Sequence, residues 1–318
     1  MKQQKRHIIV GTRKSVLAVT QTNQIIQLLQ DISLQHGFDY EFRAKNLVTQ
    51  GDRILDVTLS KVGGKGLFVK EIEQALIEGE IDLAVHSLKD MPAELLDGLM
   101  IGAVPKRVDP RDCLITANNC KLADLPYGAR IGTSSLRRIC QLKAFRSDLQ
   151  LESIRGNIDT RILKLKSEGF DAIMLASAGL FRMGWENRIS EYLDPVLCLP
   201  AVGQGALGIE CRTEDMQIRE LLDLLNDPWS AHTVMAERSF LKTLNGGCQV
   251  PIGAYAEVEL QSNHELGMIR LTGMVGSPDG DIILKETMTG IDPTELGVRL
   301  GELLISQGAN RILDQVGS

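Results

Sequence analysis

The chain has 318 residues, 43% of them hydrophobic and 24% charged, with a formal net charge of −6. That length exceeds what one ordinary core takes, so two or three soluble globular domains are expected. The acidic balance excludes bulk attraction to nucleic acid or to an anionic membrane surface, and an anionic ligand must then be held by a local basic site.

Other function classes fall away quickly. No stretch approaches the ~20 apolar residues that span a bilayer. The run Ile8-Ile9-Val10 stops at Gly11, too short for a signal-peptide core. The six cysteines show no CxxC pair and the five histidines no HExxH, so no metal site is expected. Reduced thiols in a cytoplasm-like compartment are the reading, and monomer is the default state.

Taken in chain order, short apolar strands alternate with helical stretches, which predicts an α/β fold with largely parallel sheets. Strands are expected at His7–Val10, Glu41–Leu47, Leu83–Val85, Ala129–Ile131, Leu151–Ile154 and Ala172–Leu175. Helices are expected at Ser15–Gln35, Lys70–Glu78, Leu136–Phe145, Ile158–Glu168 and Gln217–Leu225. In the first helix, Leu17, Ile25, Leu28, Leu29 and Ile32 lie near one face and should pack on a sheet. The strand-turn-helix pattern of 8–21 returns at 129–141, and that of 79–87 at 168–177, a hint of two similarly built domains.

The last third reads differently. A helix from about Trp229 to Leu244 stops at Asn245-Gly246-Gly247, and strand-like runs follow at Ala254–Leu260, Met268–Val275 and Ile282–Met288. Asp292, Pro293 and Glu295 then supply an N-cap, a proline at the first helical position and an acid two residues on. The expected division is 1–105 with 204–224 as one α/β domain, 106–203 as a second, and 225–318 as a small α+β domain with a three-stranded antiparallel sheet.

Several segments carry chemistry. Gly11 to Ser15 and Gly132 to Arg138 each follow a strand and open a helix, and Arg155-Gly156-Asn157 again follows a strand. Free backbone N–H groups with hydroxyls and guanidiniums beside them bind carboxylate or phosphate. One such turn alone reads as a capped helix with solvated arginines, whereas three favour a shared anionic ligand at the carboxyl ends of the strands. The loop Lys61 to Gly66 lacks the spacing of a Walker A motif and reads equally as a mobile glycine-rich lid or a solvated loop. Lys89 and Asp90 end a buried strand, where a carboxylate can stabilise a developing cation; the alternative is an ordinary surface ion pair. His86 reads as a packed strand-end residue. Cys248 follows two glycines that permit close approach to its thiol, whereas Cys113, Cys120, Cys140, Cys198 and Cys211 read as packing residues. A cysteine protease lacks a histidine partner for it.

The segments TRKSVLAVTQ, KVGGKGLFVKEIE, VHSLKDMP, IGTSSLRR, IRGNIDTRILKL, DAIMLASAGLFRMG, LPAVGQGALGIE and NGGCQVPIGAYA, in this order, resemble the porphobilinogen deaminases over nearly the whole chain. The resemblance implies two similar doubly wound domains of periplasmic-binding-protein-like architecture and a third domain carrying a covalent cofactor. It implies that Cys248 holds a dipyrromethane cofactor by a thioether, and that Asp90 stabilises the cation formed as ammonia leaves porphobilinogen. Lys89, Ser135, Arg137, Arg138 and Arg161 would bind the acidic groups of the cofactor, and Arg13, Ser15, Gln21, Arg155 and Arg182 would serve the substrate. Lys61, Lys65 and Phe68 would belong to a mobile loop. Hinging near Pro105–Pro110 and Leu199–Gln204 would make room for a lengthening product. The implied activity is head-to-tail condensation of four porphobilinogen molecules, with no nucleic acid, membrane or metal partner. The rival is a non-catalytic hinged binding protein for a small anion.

Overall fold

The computed structural model describes residues 5–53, 69–246, 250–259 and 267–317. Lys61, Lys65, Phe68 and Cys248, and the end of the expected strand at Leu260, lie outside them. The chain divides into two compact units, which exchange at Arg107/Val108, at Gly205/Ala206 and at Ala231/His232.

The chain begins with β1 (Arg6–Arg13), α1 (Val16–His36) and β2 (Tyr40–Leu47), then α2 (Gln50–Arg53), α3 (Lys70–Ile77), β3 (Leu83–Ser87) and β4 (Leu99–Ala103). Ser15 starts α1 by accepting from the Ala18 N–H at 3.3 Å, and Gly37, at φ 74°, ends it in the left-handed region. The buried stripe of α1 is Gln21, Thr22, Ile25, Leu29 and Ser33. Leu28 departs from expectation: it is 45% exposed, because the i, i+4 row through residues 21, 25, 29 and 33 faces the sheet and residue 28 falls beside it.

The second unit carries β5 (Asp112–Thr116), β6 (Arg130–Gly132), α4 (Leu136–Phe145), β7 (Gln150–Glu152), α5 (Ile158–Ser167), β8 (Ala172–Ala176), α6 (Ser177–Arg182) and β9 (Glu191–Tyr192). The chain then returns to the first unit with β10 (Leu207–Arg212) and α7 (Met216–Leu225). The two sheets have orders β2-β1-β3-β10-β4 and β7-β6-β8-β5-β9. In the first, β1 runs parallel to β2 and β3, while β10 is antiparallel to β3 and β4. In the second, β6 runs parallel to β7 and β8, while β5 is antiparallel to β8 and β9. Each five-stranded sheet therefore has four strands in one direction, three of them joined by helical crossovers, and one strand reversed between the third and the last. The sequence echo between 8–21 and 129–141 is the likeness of β1-α1 to β6-α4.

The core of the first sheet joins Ile8, Val10, Leu83, Val85 and Ile209 to Ile25 and Leu29 of α1 and to Ile218, Leu221 and Leu222 of α7. In the second, Cys113, Ile115, Ile173 and Leu175 pack with Leu165 of α5 on one face, and Leu114, Ile131 and Met174 pack with Leu142 of α4 on the other. Strands covered on both faces lose the alternation that marks a half-exposed strand.

After α8 (Pro228–Thr243), the strands β11 (Ile252–Val258), β12 (Ile269–Gly276) and β13 (Ile283–Gly290) form the expected antiparallel sheet. Then come α9 (Pro293–Ser306) and α10 (Ala309–Gly317). The Asp292 carboxylate accepts from the Glu295 N–H at 2.7 Å, with Pro293 leading the helix. The buried Glu237 carboxylate of α8 accepts from the N–H groups of Gly203 and Ala256, at 2.7 and 2.9 Å, and so ties the helix to 199–205 and to β11.

Candidate functional site

The first unit holds a pocket at the carboxyl ends of β1 and β3, where parallel strands open onto their following helices. Arg13, Ser15, Gln21, Ser87 and Asp90 give it a cation, hydroxyls, an amide and a carboxylate, and Leu17, Ala18, Val69 and Val85 give it an apolar wall. Arg13 is the last residue of β1, and Ser15 both caps α1 and lines the pocket. Gln21 is 2% exposed, and its amide lies 3.2 Å from the Ser87 hydroxyl, which locks α1 to the end of β3. A one-turn helix, Leu88–Asp90, follows β3 and turns half-buried Lys89 and Asp90 outward from buried Leu88.

The pocket also has a feature that sequence reasoning passed over. His86 is among its lining residues, and its Nε2 lies 3.0 Å from the Glu210 carboxylate of β10. Both side chains are buried, and Glu210 Oε1 and Glu73 Oε1 are buried without a hydrogen-bond partner among the described residues. Burial, reinforced by the charge of Glu210, pushes the Glu73 carboxyl above its usual range, against a weaker pull from His86. Above the ordinary glutamate range the folded protein therefore retains a proton that the unfolded chain has lost, and stability falls as pH rises through that window. Glu73→Gln is expected to raise the melting temperature by a few degrees at pH 8 and to leave it unchanged at pH 4, checked by thermal unfolding at both.

The second unit gathers the other basic residues. Ser134 Oγ donates to the Ile154 carbonyl at 2.7 Å and meets Ser153 Oγ at 2.9 Å, which joins the turn opening α4 to the turn opening α5. Ser135 is the N-cap residue of α4, half-buried, with no side-chain capping bond. Gly156 sits at φ 113°, and a Cβ there would lie 2.7 Å from Thr160, so this tight turn requires glycine. Arg161 Nε donates back to the Gly156 carbonyl at 2.8 Å, beside half-buried Arg155.

Arg137 and Arg138 have buried chain partners. Arg137 donates to Asp112 and to the Leu199 carbonyl, both at 2.6 Å. Arg138 donates to Asp112 at 2.7 Å and to the Met174 carbonyl at 3.0 Å. Gln204 adds a third donor to Asp112, at 2.9 Å. Burial opposes ionisation of Asp112, but the two guanidiniums outweigh it and hold the carboxyl far below the usual range. Arg182, at the end of α6, donates to the Gly205 carbonyl at 2.8 Å, and burial pulls its pKa down to about 10, which leaves it charged at neutrality.

Comparison with known proteins covers nearly the whole chain. Residues 8–220 match the family model described as "Porphobilinogen deaminase, dipyromethane cofactor binding domain", and 231–306 match its "C-terminal domain". The chain is 58% identical over 318 residues to a porphobilinogen deaminase of Paenibacillus macerans, which covers 96% of this chain and 98% of that one. It is 55% identical over 312 residues to that of Halalkalibacterium halodurans, with 98% and 97% covered. Among solved structures, a TRAP periplasmic solute binding protein from Desulfovibrio salexigens is similar at a TM-score of 0.45, with 8% identity over 70% of this chain and 73% of that one. Two models of one family and relatives above half identity along nearly its full length show that this chain belongs to the porphobilinogen deaminase family.

Proposed function

We propose that the protein is a hydroxymethylbilane synthase, a transferase that condenses four porphobilinogen molecules head to tail with loss of ammonia. Hydrolysis then releases the linear tetrapyrrole. The observation that carries this reading is a pocket in which Arg13, Ser15 and Asp90 converge, in a chain that belongs to this family. Porphobilinogen has two acidic side chains, a pyrrole N–H and an aminomethyl group. A guanidinium and a hydroxyl suit the acids, and a carboxylate suits the N–H and the positive charge that grows as ammonia departs.

The same pairing fits the dipyrromethane cofactor named in the matching family model, since that group also combines acidic side chains with pyrrole N–H donors. When bound, the cofactor supplies an acceptor pyrrole tethered to the protein, with Cys248 as its point of attachment. Lys89, Ser135, Arg137, Arg138 and Arg161 hold its acidic groups in this reading, and Arg13, Ser15, Gln21, Arg155 and Arg182 hold those of the substrate. Asp112 fixes the orientation of Arg137 and Arg138. The reading also counts Lys61, Lys65 and Phe68, outside the described residues, among those that serve the site. The division into 1–105 with 204–224, 106–203 and 225–318 belongs to the reading and is supported by three separate sheets. It takes the protein as a cytoplasmic monomer whose partner is the small-molecule substrate.

Ammonia release tests the reading directly. The protein loaded with cofactor is expected to release one ammonia per porphobilinogen consumed and to yield a linear tetrapyrrole. Recovery of porphobilinogen unchanged would leave a binding protein in its place.

A further inference from the structure

Each condensation moves a proton that the pocket has to accommodate. The C–N bond of the aminomethyl group breaks and ammonia leaves with the electron pair. A new C–C bond forms to the α-carbon of a pyrrole, and the C–H bond at that carbon breaks, returning its electrons to the aromatic ring. In sum, an aminomethyl ammonium and a pyrrole C–H become a methylene bridge and an ammonium ion. The proton from carbon must therefore pass through a base before it meets ammonia or water. If Asp90 took it, the pocket would lose the negative charge that the next C–N cleavage requires. Among the described residues that line the pocket, His86 and Asp90 carry the side chains that can act as a base.

We propose that His86 is the group that accepts the proton released at each condensation, with Glu210 as its buried counter-charge. The proposal rests on the synthase reading above and goes beyond it. With its Nε2–H donated across the 3.0 Å contact to the Glu210 carboxylate, the ring has Nδ1 as its remaining acceptor. Once Nδ1 is protonated, the imidazolium lies against a fully buried carboxylate whose other oxygen has no hydrogen-bond partner among the described residues. That carboxylate is poised to stabilise positive charge, as a buried acid does behind a catalytic histidine. The second buried acid, Glu73, is displaced toward its neutral form by burial and by Glu210. Among the described residues, the titratable and charged groups near the ring are Glu210 on β10, Glu73 on α3, and Arg13 and Asp90 at the pocket. The proton is passed on from Nδ1 to departing ammonia or to water, and the ring returns to its starting state with Asp90 still charged.

The test uses the cofactor-loaded protein with porphobilinogen carrying deuterium at its free α-carbon. His86→Gln is expected to lower kcat about 100-fold, the scale of a lost general base, with KM little changed. It should also show a larger deuterium isotope effect than the wild type. Glu210→Gln should lower kcat by about 10-fold and enlarge the isotope effect in the same direction. A His86→Gln enzyme within threefold of the wild-type kcat, or one slowed with no growth in the isotope effect, overturns the proposal. If neither variant folds, wild-type protein labelled with 15N-histidine decides. An Nε2–H tautomer at the pH of turnover supports the assignment, and a ring protonated on both nitrogens there overturns it. Wild-type ammonia release is measured alongside: its absence brings down the synthase reading and this proposal together, whereas normal release with an unaffected His86→Gln enzyme brings down the proposal alone.

Discussion

Asp90→Asn is expected to lower kcat by about 1000-fold while leaving the melting temperature within a few degrees of the wild type. The substitution keeps the side chain's shape and removes its charge. In the proposed reaction that charge faces a cation that grows as ammonia leaves. Unit charges about 4 Å apart, at an effective dielectric of about 20, attract by about 4 kcal/mol, which is about 1000-fold in rate. Asp90 stands at the end of a one-turn helix, in a pocket with an apolar wall, where water screens a charge less than it does on an open surface. Because the interaction strengthens toward the transition state, the loss should fall on kcat and leave KM within a few-fold. Steady-state kinetics with a thermal melt beside them check this. Near-normal kcat in Asp90→Asn removes the electrostatic role assigned to this residue.

The second large effect concerns Cys248. Intact-protein mass spectrometry of the wild type is expected to show the polypeptide plus two deaminated pyrrole units, growing stepwise when porphobilinogen is added. Cys248→Ala should show the bare polypeptide mass and no turnover. Tethering converts a bimolecular coupling into an intramolecular one, with effective molarities on the order of 10⁵ M or more in well-oriented cases. An enzyme without its anchor forfeits that advantage as well as its acceptor. The other thiols offer poor substitutes, since attachment requires a reactive thiolate. Burial pushes Cys113 up to about 12 and Cys140 and Cys211 up to about 11, and it pushes Cys198 further still. Cys120 is the half-buried thiol among the described residues, so an added mass that persists in Cys248→Ala would point there and sink the assignment to Cys248.

Much of the fold could be read from neighbours along the chain. Ser15 starts α1, Asp292 with Pro293 and Glu295 starts α9, and α4 has the expected limits Leu136 and Phe145. The three antiparallel strands of the last third lie within two residues of their expected starts. Four strands, β4, β5, β9 and β10, and the short helix α6 carried no usable signal. β5 and β10 are buried on both faces, so Asp112–Thr116 and Leu207–Arg212 show no alternation, and β10 finds its partners in β3 and β4, about a hundred positions earlier. The site divides in the same way. The Gly-Thr segments, the Lys89-Asp90 pair and the Gly-Gly-Cys run were legible as strings of residue types, although Gly11 and Thr12 belong to β1 and not to a turn.

The sequence by itself determined where helices begin, which faces are apolar, and which segments hold cations, hydroxyls and a carboxylate. Those properties arise from contacts within a few residues, where chain geometry leaves few alternatives. Only the tertiary structure decided how the charges are partnered. It put Asp112 against Arg137 and Arg138, which α4 presents from 25 and 26 positions away, and made of two arginines that read as solvated or ligand-facing a buried ionic cluster. It also set His86 on Glu210, 124 positions away, so that a residue that read as packing became a candidate base. Local sequence cannot encode such pairings, because a buried charge is tolerable only beside its partner, and that partner arrives only when the sheet closes.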